Sequence, residues 1–473
     1  MLCISARHIV KGDFNMKLCV EKHYAQLLSV IALLMTAVVL LTGCGSGGEG
    51  SVPSTPPPAE FKDVGQPILP TGLHALREGM DTEGYCSATG YYRPIMREED
   101  SSYNICYTDF ATGQEIIVCS QLNCKHEDES CTGWADAAVG RLLTIPVGDK
   151  VVLLYSGCPE LYESRGETAL ARVEIMNQDG TDRQLVHSFS PSAVIPKLPK
   201  AGFARDDENV YFAIDNASVG VGTRKLYQFN INTRAVTPVL DLVEQEEQIV
   251  GAIGNELVLV YTPDSWDMSK KPEELTSQVI RFNPETKEIT PIFEYNFANI
   301  GLCADNEFIL WCTDHVIRRY DLLTGNLLQE TPTECNVDPF AVRDLTYADG
   351  RLMISGEKDL GFPTDEELEE LNKQEGPWFM FYFAMDVTTG QTTELHWFYN
   401  YMNADTYKPS RILAETETHY FVDYNSFDLN IHYQDNDGNT LPGWRTTYSY
   451  GFIPKEDFWN NTGVILPIID ATK

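Results

Sequence analysis

Seven times along this chain an apolar run is followed by a short polar turn of the form D/N-x-x-T-G or a near variant. The apolar runs are YYRPIM from Tyr91, VVLLY from Val151, VYFAI from Val210, LVLVY from Leu257, FILWC from Phe308, LMIS from Leu352 and YFVDY from Tyr420. The turns are DFATG from Asp109, NQDGT from Asn177, NINTR from Asn230, NPETK from Asn283, DLLTG from Asp321, DVTTG from Asp386 and DNDGN from Asp435. The two sets interleave one to one, and successive apolar runs start 60, 59, 47, 51, 44 and 68 residues apart. A period of that length, built of strands without alternating helices, predicts a radial array of β-sheets. The fold class is therefore all-β, a β-propeller of seven four-stranded blades, with the uneven spacing leaving six or eight open.

An Asp or Asn at the head of each turn can hydrogen-bond the backbone two residues on, and a Gly, Asn or Lys near its end takes the left-handed conformation. These turns are expected to join the outer strands. The apolar runs are expected to be the innermost ones, covered on both faces by neighbouring blades, since they lack a polar alternation. Extra length falls between strands. Thr364 and Glu367 are spaced as a capping box opening a helix over Pro363–Leu371, which Gly376-Pro377 stops. Lys271–Leu275 reads as a second short helix. The last apolar stretch, Gly463–Ile469, is expected to close the ring near Tyr85. The propeller is assigned to residues 81–473.

The N-terminus carries a different signal. Lys17 and Lys22 precede an apolar run, Leu27–Leu41, that is short for a membrane span and typical of a signal-peptide core. Leu41-Thr42-Gly43-Cys44 follows and matches the bacterial lipobox, so residues 1–43 read as a lipoprotein signal peptide and Cys44 as the site of diacylglycerol attachment. Met16 makes a better start than Met1, because residues 1–15 add nothing that a signal needs. Residues 44–80 read as the lipidated cysteine and a flexible Gly/Ser/Pro tether, with weak periodicity from Phe61 onwards. The expected location is the extracytoplasmic face of a cell membrane.

Lys and Arg number 35 against 69 Asp and Glu, and removing residues 1–43 leaves 31 against 67. Such a surface repels polyanions, which argues against nucleic acid as a partner.

One stretch falls outside the repeat. Cys119, Cys124, His126 and Cys131 form C-x4-C-x-H-x4-C directly after the first turn. Three thiolates and an imidazole can complete a tetrahedral zinc shell. Exported chains also use cysteines as disulfide staples, and here the odd thiol would need Cys86, Cys106 or Cys158. Spacing does not separate metal from disulfide. A thiol nucleophile beside His126 is the weaker reading, because such pairs are usually distant in sequence.

No G-x-S-x-G, G-x-x-x-x-G-K-[ST] or H-E-x-x-H motif occurs. The run HWFYNYMNADTY is dense in aromatic residues, and His396, Trp397, Tyr399 and Tyr401 are a candidate ligand face, although such a run more often reflects outer-strand packing against neighbouring blades. The lipobox ending at Cys44, the D-x-x-T-G turns and the run from Asp109 to Cys131 together resemble propeller-type surface lipoproteins of anaerobic Gram-positive bacteria, loosely related to TolB-like propellers. That resemblance implies a fold and a location, and it brings no activity or ligand. The expected function is a binding or scaffolding module for a glycan, peptide or envelope protein. The alternative is a propeller hydrolase or lyase acting on extracellular polysaccharide, which would need carboxylates converging in the channel.

Overall fold

The computed structural model describes residues 61, 63–76, 84–98, 100, 102–136, 141–196, 202–216, 223–242, 247–263, 269–358, 379–401, 406–434 and 440–470. The signal peptide, Cys44, the tether before Phe61, the Pro363–Leu371 helix and the DNDGN turn lie outside these residues. Among those described, no helix is long and apolar enough to cross a membrane.

Seven antiparallel sheets form a seven-bladed β-propeller. Blade 1 runs from the centre outwards as Tyr85–Cys86, Gly90–Met96, Tyr103–Asp109 and Gln114–Ile117. Blade 2 comprises Leu142–Val147, Lys150–Tyr155, Arg172–Asn177 and Gln184–Ser188, and blade 3 Phe203–Arg205, Asn209–Asn216, Thr223–Asn230 and Val236–Leu242. Blade 4 is Glu247–Ile253, Glu256–Tyr261, Thr276–Phe282 and Ile289–Asn296, and blade 5 Ile300–Ala304, Glu307–Trp311, Val316–Asp321 and Leu327–Pro332. Blade 6 is Val342–Ala348, Arg351–Glu357, Met380–Asp386 and Thr392–Glu394; blade 7 is Ile412–Glu415, His419–Gln434, Thr440–Pro454 and Leu466–Pro467. Innermost strands of blades 1 and 2, 3 and 4, 4 and 5, and 5 and 6 are neighbours, and that of blade 7 meets that of blade 1. They run parallel, as the bridge from Gly84 to Thr144 of blade 2 shows.

The apolar runs are the second strands of their blades, not the innermost ones. A second strand is sandwiched between neighbouring blades, so Val151–Tyr155 and Leu257–Val260 are buried throughout. The innermost strands vary: Leu142–Val147 is buried throughout, whereas Ile300–Ala304 is half-buried and Val342–Ala348 mixed. The turns behave as expected in six blades, where they join third strand to outer strand. Asp109 Oδ1 accepts from the backbone N–H of Ala111 and Thr112 at 2.7 and 2.9 Å. Asn230, Asn283, Asp321 and Asp386 repeat the arrangement. Their fifth residues, Gly113, Arg234, Lys287, Gly325 and Gly390, all have positive φ. The seventh turn is different. Gln434 pairs with Thr440, so DNDGN sits between the second and third strands of blade 7, and the helix Lys455–Trp459 takes the place held elsewhere by the Asx turn. The Lys271–Leu275 segment is a single 3-10 turn over Pro272–Glu274.

Ring closure also differs from expectation. Leu466–Pro467 completes blade 7, and Ile469–Asp470 then pairs in parallel with Gln114–Glu115 on the outer strand of blade 1. Tyr85 is already flanked by other innermost strands, whereas the outer strand offers a free edge.

Residues assigned by sequence to the tether pack on the ring from Phe61 onwards. Phe61 meets Phe452 edge-on at 5.7 Å, and Val64 is buried among Phe110, Phe421 and Phe452. Ile68 N–H donates to Glu415 of blade 7, Leu76 N–H to Phe203 of blade 3, and His74–Ala75 pairs with Ala204–Arg205. Blades 7 and 3 are three places apart in a ring of seven, the widest separation available. Segment 63–76 therefore bridges the channel at the end where the innermost strands finish.

Candidate metal centre and open face

The opposite end of the ring receives the connections between second and third strands and those between blades. It carries the Cys/His loop, residues 118–133. Both stems of that loop are fastened to Ile105: Val118 N–H donates to the Ile105 carbonyl at 2.8 Å, and Ile105 N–H donates to Gly133 O at 2.7 Å. The chain then pairs back onto the same blade through Trp134–Ala135. Within the loop Asn123 and His126 hold φ of 59° and 58°, a conformation non-glycine residues seldom adopt, and this folds the cluster inward. Cys119, Cys124, His126 and Cys131 place one ligand atom each within 4.8 Å of all the others. Tetrahedral zinc with Zn–S bonds of about 2.3 Å separates its sulfurs by roughly 3.8 Å, so the cluster could hold such an ion after small adjustments.

His126 Nδ1 lies 3.1 Å from Cys131 Sγ, and Gly133 N–H donates to the same sulfur at 3.3 Å. Burial opposes ionisation of Cys119. Hydrogen bonds from the Gln121 backbone, from the thiols of Cys131 and Cys124 and from Thr132 outweigh it and hold that thiol below its ordinary value. Burial and the neighbouring sulfurs push Cys131 up to about 12. Cys119, Cys124 and Cys131 are free cysteines in this structure. The donor set suits a soft divalent ion, with Cys131 buried and the other three ligands half-buried.

Of the aromatic-run residues, His396, Trp397 and Tyr399 do not present a common face. His396 is exposed and its backbone N–H donates to Asn461. Trp397 stacks on Phe458 and donates to its carbonyl, while Tyr399 is buried with its hydroxyl 3.1 Å from Asp423. The backbone of Tyr401 pairs with Thr406.

What the sequence reading missed is the long hairpin of blade 7, His419–Gln434 with Thr440–Pro454, whose turn falls at this end of the ring. Between it and blade 1 lies a cavity of about 320 Å³, lined by residues that include Tyr91, Arg93, Tyr103, Trp444, Arg445 and Tyr448. The dense run Trp444-Arg445-Thr446-Thr447-Tyr448 was the available signal.

Charge is concentrated at the same seam. Arg93 makes a bidentate pair with Glu115 at 2.7 and 2.8 Å, and Arg411 pairs with the fully buried Asp423 at 2.6 Å. Asp344, on the innermost strand of blade 6, has its carboxyl pushed up by burial and by Asp423, against the pull of Arg411 and Lys408.

No family model matches the chain, and no curated protein is detectably similar to it in sequence. Solved structures are similar at low identity. TolB from Acinetobacter baumannii aligns at 15% identity and TM-score 0.28 over 60% of each chain. Pyrococcus horikoshii acylaminoacyl peptidase aligns at 8% and TM-score 0.42, over 81% of this chain and 52% of that one. The β-propeller domain of the trilobed protease from Pyrococcus furiosus aligns at 11% and TM-score 0.34, over 70% of this chain and 98% of that domain. The chain thus spans about half of the peptidase and 60% of TolB.

Proposed function

We propose that this protein is a binding module held at the extracytoplasmic face of a cell membrane through a lipidated Cys44, with a glycan, peptide or envelope protein as its ligand. The observation that carries the binding reading is the asymmetry of the ring. Segment 63–76 bridges one end of the channel, while the Cys/His loop, the long hairpin of blade 7 and the seam cavity gather at the other. Loops gathered on one face of a rigid scaffold are the usual place for recognition. The anchor rests on the lipobox, and mass spectrometry of the purified chain tests it: lipid on Cys44 is expected, and an unmodified N-terminus upstream of it overturns it. Pull-down from solubilised membranes together with a glycan array tests the binding reading, and capture of neither class of ligand counts against it.

The same reading assigns Cys119, Cys124, His126 and Cys131 to a structural zinc ion that shapes this face. Four protein ligands leave no open position for substrate, so the role is structural.

A second reading, a hydrolase or lyase acting on polysaccharide, draws on Asp344. A carboxyl whose protonation is favoured by burial can serve as a general acid. Asp344→Asn would abolish depolymerisation of a polysaccharide substrate if this reading holds, and unchanged turnover would remove it.

A further inference from the structure

The seam cavity between blades 7 and 1 has a chemistry at odds with the rest of the molecule. The chain carries 69 acidic against 35 basic side chains, yet among the described residues lining the cavity none is acidic and two are arginines. Cations surround its tyrosines, two of them, Arg93 and Arg411, being paired with Glu115 and Asp423. Arg93 lies over the Tyr450 ring at 4.1 Å, and Arg445 over the Tyr103 ring at 5.2 Å while donating to the Tyr103 hydroxyl. Arg411 and Lys408 sit 5.1 and 5.7 Å from the centre of the Tyr448 ring. At the rim, Trp444 is 58% exposed, although an indole left in water forgoes the burial that a large apolar side chain normally finds. Thr446 and Thr447 also line the cavity, and the Thr446 hydroxyl donates to Asp428 at 3.0 Å.

An aromatic platform beside hydroxyls matches the alternating apolar and hydroxylated faces of a sugar ring. Guanidinium groups recognise carboxylates through paired N–H donors. A cavity of about 320 Å³ is at the lower end of the roughly 300–1,000 Å³ of small-ligand sites, and it is open at the Trp444 rim, so a chain end or a short segment fits better than a bulky group. We infer that the cavity between blades 7 and 1 binds an acidic saccharide, a sugar chain whose rings carry carboxylates, with Trp444 stacking on a ring and Arg445 meeting its carboxylate. This rests on the binding reading above and names its site and ligand class.

Calorimetric titration of the full-length chain in detergent decides it, with alginate oligomers of defined length as probe and cello-oligosaccharides of equal length and hexaglutamate as comparators. Alginate oligomers should bind, and more weakly as sodium chloride is raised. Trp444→Ala should weaken binding about tenfold or more while leaving the melting temperature unchanged, because the indole is exposed. Arg445→Gln should weaken the alginate oligomers and flatten the salt dependence. Equal affinity for cello-oligosaccharides overturns the acidic part of the inference, and equal affinity for hexaglutamate overturns the saccharide part. Undiminished binding by Trp444→Ala, or no binding of alginate oligomers, overturns the site. In those cases the membrane pull-down and glycan array on the same preparation still report whether the protein is a binding module.

Discussion

Arg205, at the end of the innermost strand of blade 3, donates from Nε to Nε2 of His74 over 3.2 Å. His74 Nδ1 lies 2.8 Å from the Gly72 carbonyl and donates to it, which assigns the neutral tautomer with Nε2 as acceptor. The same guanidinium donates to Cys86 O of blade 1 at 3.0 Å and to Pro146 O of blade 2. One buried side chain thus ties three blades to the segment that bridges the channel.

Protonation of His74 would place two cations in contact. Burial, with the Arg205 charge adding to it, holds His74 below its ordinary value. The unfolded histidine titrates near about 6.5, so the stability contributed by the neutral ring is fully present above that and is lost as pH falls through the lower folded value. Protection against hydrogen exchange in segment 63–76, taken relative to the intrinsic rate at each pH, should fall between neutral and mildly acidic pH, and His74→Ala should abolish that pH dependence. Identical protection in the native protein at both pH values would refute the coupling.

Arg93 and Glu115 form a buried pair whose side chains are 10% and 1% exposed. Thr108 donates to the same carboxylate at 3.1 Å. Glu115→Ala leaves a buried guanidinium without its counter-charge and should cost about 3–5 kcal/mol in urea denaturation. The double change Arg93→Met, Glu115→Leu should recover most of that loss.

Zinc analysis of the full-length chain should find one equivalent bound, released by chelation and absent from Cys119→Ser. Since both loop stems are hydrogen-bonded to Ile105, removing the ion should raise hydrogen exchange within 118–133 and leave the strands of blade 1 protected.

The closing strand offers another test. Ile469 N–H donates to Gly113 O at 2.7 Å, and Ile469→Pro removes that donor. A loss of about 1 kcal/mol is expected, with faster exchange at residues 114–117.

Two glycines separate backbone strain from packing. Gly113 and Gly254 both have positive φ, 67° and 58°. A Cβ on Gly113 would come within 2.3 Å of the Phe61 ring, whereas one on Gly254 meets nothing within 4 Å. Gly254→Ala should cost about 1–2 kcal/mol from the left-handed backbone alone. Gly113→Ala should cost more and also loosen Phe61, read as increased exchange at residues 63–66.

The sequence by itself determined the repeat and the chemistry of five Asx turns, because each depends on residues adjacent in the chain, and it pointed to seven blades while leaving six or eight open. It also isolated the cluster of Cys119, Cys124, His126 and Cys131, whose members are close in sequence. Position within a blade was not legible: a run such as Val151–Tyr155 states that both its faces are covered, but a second strand flanked by two blades meets that condition better than one facing the channel. The bridging of the channel by residues 63–76 depends on contacts with Glu415 and Phe203, hundreds of residues apart in sequence from one another or from the segment itself. Ring closure and the seam cavity have the same origin. Arg93 and Trp444 meet around one space only because the seventh blade returns to the first, and that adjacency exists only in the folded ring.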